Sequence, residues 1–266
     1  MGANSTELPV NELYSFSVYK SITNVRNFFR NSRETFKRRS KTTEGRTILT
    51  LLGMNSCIFL AWRISKKRPN ASIFMVQHFT CSRDSMQIGR LHTLFTSNLS
   101  HYDPLHFTIN MVVLYNVGNE VIQIINPSRF TQLYFFGGFS SSVTSVMLKR
   151  VRRSPRVSLG ASGSVMAMLF MFAQLFPERK AIIVGKPISV QDMCLASVVV
   201  DIMGIIMGFS GIDFAAHLGG AAFGYSYFRL ISSSLAHERR EKREQSRSDG
   251  KDNGSDGSLL RLLKRT

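Results

Sequence analysis

The chain has 266 residues, 44% of them hydrophobic, and a formal net charge of +17. Apolar blocks alternate with blocks dense in Lys and Arg, and the basic runs at 63–68 and 149–156 abut the ends of apolar stretches, the pattern of membrane flanks rather than of a nucleic-acid surface. Three scattered cysteines (Cys57, Cys81, Cys194) exclude a disulfide framework and read as core thiols; with no C-x-x-C pair and no phosphate-binding glycine motif, neither metal, cofactor nor nucleotide is expected.

Residues 1–46 contain no apolar run of the roughly 20 residues needed to span a bilayer. They form a basic polar tail carrying Arg26, Arg30, Arg33, Lys37, Arg38 and Arg39. Over 18–36, apolar residues are spaced among basic ones, as in an organelle transit segment, and Met1-Gly2 with Thr6 fits the N-myristoylation pattern. A membrane core is expected over 47–232, with apolar spans at 48–64, 104–125, 130–148, 158–176, 190–209 and 214–232 and a long polar connection ending near Tyr102. These spans should be helices, because a helix satisfies its backbone polar groups internally and irregular backbone in lipid does not. The fold class that follows is an all-α membrane protein. Residues 233–266 turn charged, then rich in Ser, Gly and Asp, and are expected to be solvated and disordered. The two tails hold the larger share of basic residues, which puts both termini on the more positive side.

Chemistry concentrates in the spans. Gly160-Ala161-Ser162-Gly163 places a hydroxyl nucleophile at a tight turn, and Ala216-His217-Leu218-Gly219-Gly220 places an imidazole base in another apolar segment. His101, His106 and Asn110 form a second constellation; His106 and Asn110, four apart, share a helix face and offer two donors suited to an oxyanion. Polar side chains within a membrane are costly and point to function. For these to converge, two backbones must approach closely. Gly160, Gly163, Ser164 and Ala167 on one span, and Ala216, Gly220 and Gly224 on another, provide small-residue faces for that approach. Asp213, one turn before His217, is read as structural, as is Asp201, which precedes a Gly204-x-x-x-Gly208 packing motif; Met166, Met168, Met171, Met203 and Met207 read as adaptable packing residues.

Taken together, these motifs resemble the rhomboid family of intramembrane serine proteases over about residues 85–230. Gly89-Arg90 and Phe95-Thr96, the H-x4-H-x3-N spacing of His101, His106 and Asn110, the G-x-S-G at Ser162, and the A-H-x-G-G-x-x-x-G from Ala216 to Gly224 carry the resemblance. Ser158-Leu-Gly-Ala-Ser162-Gly and Asp213-Phe-Ala-Ala-His217-Leu-Gly-Gly look most like the mitochondrial presenilin-associated subgroup. The resemblance implies a six-helix transmembrane bundle in the mitochondrial inner membrane, with a Ser162–His217 dyad. His106, Asn110 and the Ser162 backbone N–H would form the oxyanion hole, and Glu120 would tie down the first loop. It further implies cleavage of single-span transmembrane protein substrates in the lipid bilayer; the alternative is a catalytically silent rhomboid-like protein that binds clients for sorting or degradation. Two departures stand out: Gly89 occupies the place where the family usually has a tryptophan, and residues 1–46 do not supply the additional helix typical of the mitochondrial subgroup.

Overall fold

The structure, a computed structural model, describes residues 40–183 and 186–248. The transit-like segment at 18–36 and the myristoylation pattern lie outside the described residues. The chain divides into two units, Met1–Arg46 and Thr47–Thr266, and the second carries the core.

Helix α1 covers Thr43–Ser65. Its polar interruption, Asn55, is fully buried and donates through Nδ2 to the Leu51 carbonyl (2.8 Å) and to the Tyr134 hydroxyl (2.9 Å). Amide donors that would be costly in lipid are thus satisfied by protein, while Oδ1 has no partner among the described residues.

The segment expected to be a polar connection folds instead into α2 (Pro69–Phe79), α3 (Arg83–Gln87), α4 (Thr93–Thr96) and a 3-10 turn at Ser97–Leu99. Pro69 opens α2, where its missing N–H costs nothing, and Ser82 caps α3 by accepting from Ser85 N–H (3.0 Å). Its polar residues are buried by pairing with the core: Asn98 Nδ2 donates to Ser142 Oγ (3.0 Å), and Trp62 Nε1 donates to Ser100 Oγ (2.6 Å).

Helix α5 spans Pro104–Val151 and breaks at Asn126 (φ 70°, ψ 164°), next to Pro127. A proline inside a helix lacks the N–H for the ladder and crowds the carbonyl four residues back. The break leaves two arms, 104–125 and 127–151, about 33 and 37 Å long at 1.5 Å per residue. They contain the second and third expected spans.

Helix α6 (Ser162–Leu175) follows, then β1 (Lys180–Ile183) and β2 (Lys186–Ser189), an antiparallel hairpin pairing Lys180 with Ser189, which the all-α expectation did not include. Helix α7 (Val190–Met207) is capped by Ser189, which accepts from Gln191 and Asp192 N–H, and ends at Gly208 in the left-handed region (φ 69°). Gly208 therefore terminates α7 and has nothing packed on it, whereas Gly204 lies against the Phe214 ring. Among the described residues, α1 and α7 are long and apolar enough to cross a membrane, while α6 is apolar but shorter, 14 residues.

Helix α8 runs from Phe214 to Ser248, well past residue 232, so the charged segment expected to be disordered begins as helix; residues 249–266 lie outside the described ones. Strong helix formers and i,i+4 pairs such as Arg240–Glu244 (3.1 Å) favour that continuation, and Glu238 fastens it to Arg129 at the break in α5 (3.1 and 2.7 Å).

The core forms where α5, α6 and α8 meet, around Phe130, Tyr134, Met168, Met171 and Phe228. Their backbones touch. A Cβ at Gly137 would stand 2.5 Å from Ala167 Cβ, one at Gly220 2.1 Å from the Gly163 carbonyl oxygen, and one at Gly224 2.1 Å from the Ala167 carbonyl oxygen. The small-residue faces read from the sequence do pack on each other. Met203 and Met207, by contrast, are exposed on α7, and Cys57 is exposed on α1 rather than in the core.

Candidate active site

Ser162 is the first residue of α6. The chain reaches it through an irregular loop that is pinned at successive residues: Ser158 exchanges backbone hydrogen bonds with Cys81 (2.7 and 2.8 Å), Gly160 N–H donates to the Ser97 carbonyl (2.9 Å), and Ala161 N–H donates to His101 Nε2 (3.2 Å). Gly160 sits at φ +134°, a conformation that side chains rarely adopt, and a Cβ there would meet His106 Cε1 at 2.6 Å. Glycine therefore both makes the turn and lets the His106 ring lie against the backbone two residues before Ser162.

His101 is fully buried, and burial, reinforced by neighbouring His106, holds its imidazole down to about 3. The ring is neutral, which suits the lone pair it offers to Ala161 N–H. His101 therefore supports the serine turn, a role its spacing alone does not reveal.

The N-cap of α6 is Ala161, which has no side chain to accept from the first helical N–H groups. Those groups, beginning with Ser162 N–H, remain directed at the space before the helix, where negative charge is favoured. Asn110 is buried on α5 and donates one Nδ2 hydrogen to the His106 carbonyl (2.7 Å), which leaves the second amide hydrogen for another acceptor.

His217 lies in the first turn of α8, three residues before Gly220, whose backbone meets that of Gly163 on α6. Hydrogen bonds among the described residues do not include one between Ser162 and His217. The imidazole's partner is Asp201 on α7: His217 Nδ1 lies 3.1 Å from Asp201 Oδ1. Asp201 is buried, and its Oδ2 has no partner among the described residues. An Nδ1–H donated to this carboxylate leaves Nε2 with a free lone pair, the tautomer a general base requires. The sequence reading of Asp201 as a structural carboxylate did not name the His217 imidazole as its partner; an isolated carboxylate within an apolar span was the available signal.

Asp213 does not touch the imidazole. It caps α8 by accepting from Ala216 N–H at Oδ1 (3.1 Å), and its Oδ2 accepts from Lys149 Nζ (2.9 Å), Ser145 Oγ (2.5 Å) and Ser158 Oγ. Burial pushes its carboxyl pKa up, but the Lys149 charge and the Ser145 and Ser158 hydroxyls outweigh that, and the net position is below the ordinary carboxylate range. Glu120 also differs from expectation: it accepts from Arg179 (2.6 Å), tying α5 to the turn after α6 rather than to the first loop.

The Rhomboid domain profile matches residues 89–234, which include every residue of this constellation. The chain belongs to the rhomboid family. It is 33% identical over 192 residues to presenilin-associated rhomboid-like protein A, mitochondrial, of Danio rerio, covering 71% of this chain and 49% of that protein. The mouse (Mus musculus) presenilin-associated rhomboid-like protein, mitochondrial, is 29% identical over 185 residues (68% of this chain, 48% of the relative). Rhomboid protein 1, mitochondrial, of Saccharomyces cerevisiae is 28% identical over 206 residues (76% and 58%). This rhomboid is thus similar to the mitochondrial presenilin-associated subgroup, and it spans about half the length of the curated relatives it matches.

Proposed function

We propose that this rhomboid is an intramembrane serine endopeptidase that cleaves single-span membrane proteins within their transmembrane segments. One observation carries the reading: the serine at the start of α6 and the histidine in the first turn of α8 sit on backbones in direct contact, with the histidine's second nitrogen held by a buried carboxylate.

In the proposed mechanism, Ser162 Oγ attacks the scissile carbonyl as His217 Nε2 takes its proton. The negative charge formed on the carbonyl oxygen is stabilised by Ser162 N–H, the free Asn110 amide hydrogen and the His106 ring. His217 then protonates the leaving amine, and a water, activated by the same imidazole, hydrolyses the acyl-enzyme. Asp201 holds the imidazole in the orientation and tautomer that present Nε2 to Ser162, adding a positioning carboxylate to the expected Ser162–His217 dyad.

Six helical segments would span the bilayer: α1, both arms of α5, α6, α7 and α8. Residues 47–232 would form the membrane core, with tails at 1–46 and 233–266. At about 21 Å, α6 is shorter than the roughly 30 Å hydrocarbon layer, so a helix that reaches one face of the membrane starts well below the other. That recess suits a serine that must meet a transmembrane helix. The names of the relatives support a mitochondrial membrane location, and within it we propose the inner membrane.

A serine-directed fluorophosphonate applied to detergent-solubilised protein tests the reading. Labelling of the wild type and loss of labelling in Ser162→Ala, together with loss of cleavage of a reporter transmembrane substrate, are the expected results. Equal labelling of both proteins would overturn it.

A further inference from the structure

We propose that Lys149 is a positioning residue for proteolysis: its ion pair with Asp213 holds the serine-bearing loop and the histidine-bearing helix in one alignment. The inference rests on the protease reading above. Lys149 lies in the last turn of α5 and is buried, with Nζ 2.9 Å from Asp213 Oδ2; it also donates to Ser158 Oγ. One turn earlier, Ser145 Oγ reaches both Asp213 Oδ2 (2.5 Å) and Ser158 Oγ (2.9 Å). Three side chains, two from α5 and one from the loop before α6, therefore converge on a single carboxylate oxygen at the start of α8.

The consequence follows from what each stretch carries. Ser158 stands four residues before Ser162, in a loop without regular structure that contains Arg153 in the left-handed region (φ 52°). Asp213 stands four residues before His217, and its carbonyl accepts His217 N–H directly (3.2 Å). Its other carboxylate oxygen caps the same helix turn. Lys149 touches neither reacting side chain, yet it is the cation that joins the two segments bearing them. Ser162 and His217 are not hydrogen-bonded to each other in this structure; the Gly163–Gly220 contact sets how closely their helices approach, and the Lys149 cluster fixes the two segments that lead into them. Removing one partner of a largely buried ion pair leaves the other charge uncompensated, and the two segments lose the contact that joins them. A displacement of about 1 Å at the reacting groups is enough to cost about a hundredfold in rate.

The test compares wild type, Lys149→Met, Lys149→Arg and the neutral pair Lys149→Met/Asp213→Asn, in which asparagine keeps the helix cap. Cleavage of a reporter transmembrane substrate is measured per fluorophosphonate-titrated site, with KM and melting temperature. Lys149→Met is expected to lower kcat at least tenfold with KM little changed, and Lys149→Arg to recover most of it. If Lys149→Met fails to accumulate, the neutral pair reports in its place, with the same loss expected. A lower melting temperature with wild-type kcat per titrated site, in either variant, would show a purely structural role and overturn the proposal. Absence of Ser162-dependent labelling in the wild type would instead overturn the protease reading, and this inference with it, before any variant is compared.

Discussion

Substituting Gly220 by alanine adds one methyl group and removes no polar atom, yet it should disable the site. The new Cβ would lie 2.1 Å from the Gly163 carbonyl oxygen, 2.8 Å from its carbon and 3.1 Å from the Gly163 Cα. All three are backbone atoms, with no rotamer that could swing aside, so α6 and α8 must separate by about 1 Å or more to reach van der Waals contact. Overpacking of this kind costs about 1–3 kcal/mol, which an otherwise sound fold tolerates. Catalysis is less forgiving, because Gly163 adjoins Ser162 and Gly220 is three residues from His217; a misplacement of about 1 Å is expected to lower kcat by about 10². Gly53→Ala is the control: nothing lies within 4 Å of a Cβ there, and alanine gains up to about 1 kcal/mol of helix propensity. The assay is cleavage of a reporter transmembrane substrate in proteoliposomes, normalised to folded protein, with melting temperatures recorded in parallel. Wild-type kcat in Gly220→Ala would refute the view that close helix contact aligns Ser162 with His217.

Other consequences can be checked in the same assays. Asp201→Asn should reduce kcat by up to about 10⁴ by favouring the wrong His217 tautomer; unchanged turnover would show that the 3.1 Å contact only packs α7 against α8. His106→Ala and Asn110→Ala should each lower kcat by about 10²–10³ with little change in KM, since their donors matter most once the carbonyl oxygen carries charge. Equal losses in binding and turnover would count against that role. Because the Asp213 carboxyl titrates below its unfolded value, its contribution to stability is present above about pH 4 and is lost as pH falls through the folded value. Melting curves of wild type and Asp213→Asn should therefore converge toward acid pH, and a constant difference between about pH 7 and pH 3 would contradict this.

How much of this rhomboid was legible in its sequence depends on the range of the interactions concerned. Ser162, His217, His106 and Asn110 stood out because a polar side chain in an apolar run is conspicuous locally, and the small faces of α6 and α8 because a spacing of four is a property of any helix. The break at Asn126-Pro127 likewise follows from proline's own geometry. The segment at 65–102 was misread as a polar connection because its buried polar residues are satisfied by partners on other helices: Asn98 by Ser142, 44 residues away, and Ser100 by Trp62, 38 away. Asp201 and Asp213 make the same point. Both were read as structural, and chain proximity made Asp213, one turn from His217, the more tempting companion for the imidazole. Packing of α7 on α8 instead brings Asp201 to the ring, while Asp213 turns to Lys149 on α5. Motif spacing could nominate the nucleophile and its base, because those depend on chemistry that each residue carries alone. The partner of each carboxylate depends on which helices touch, and only the tertiary structure decides that.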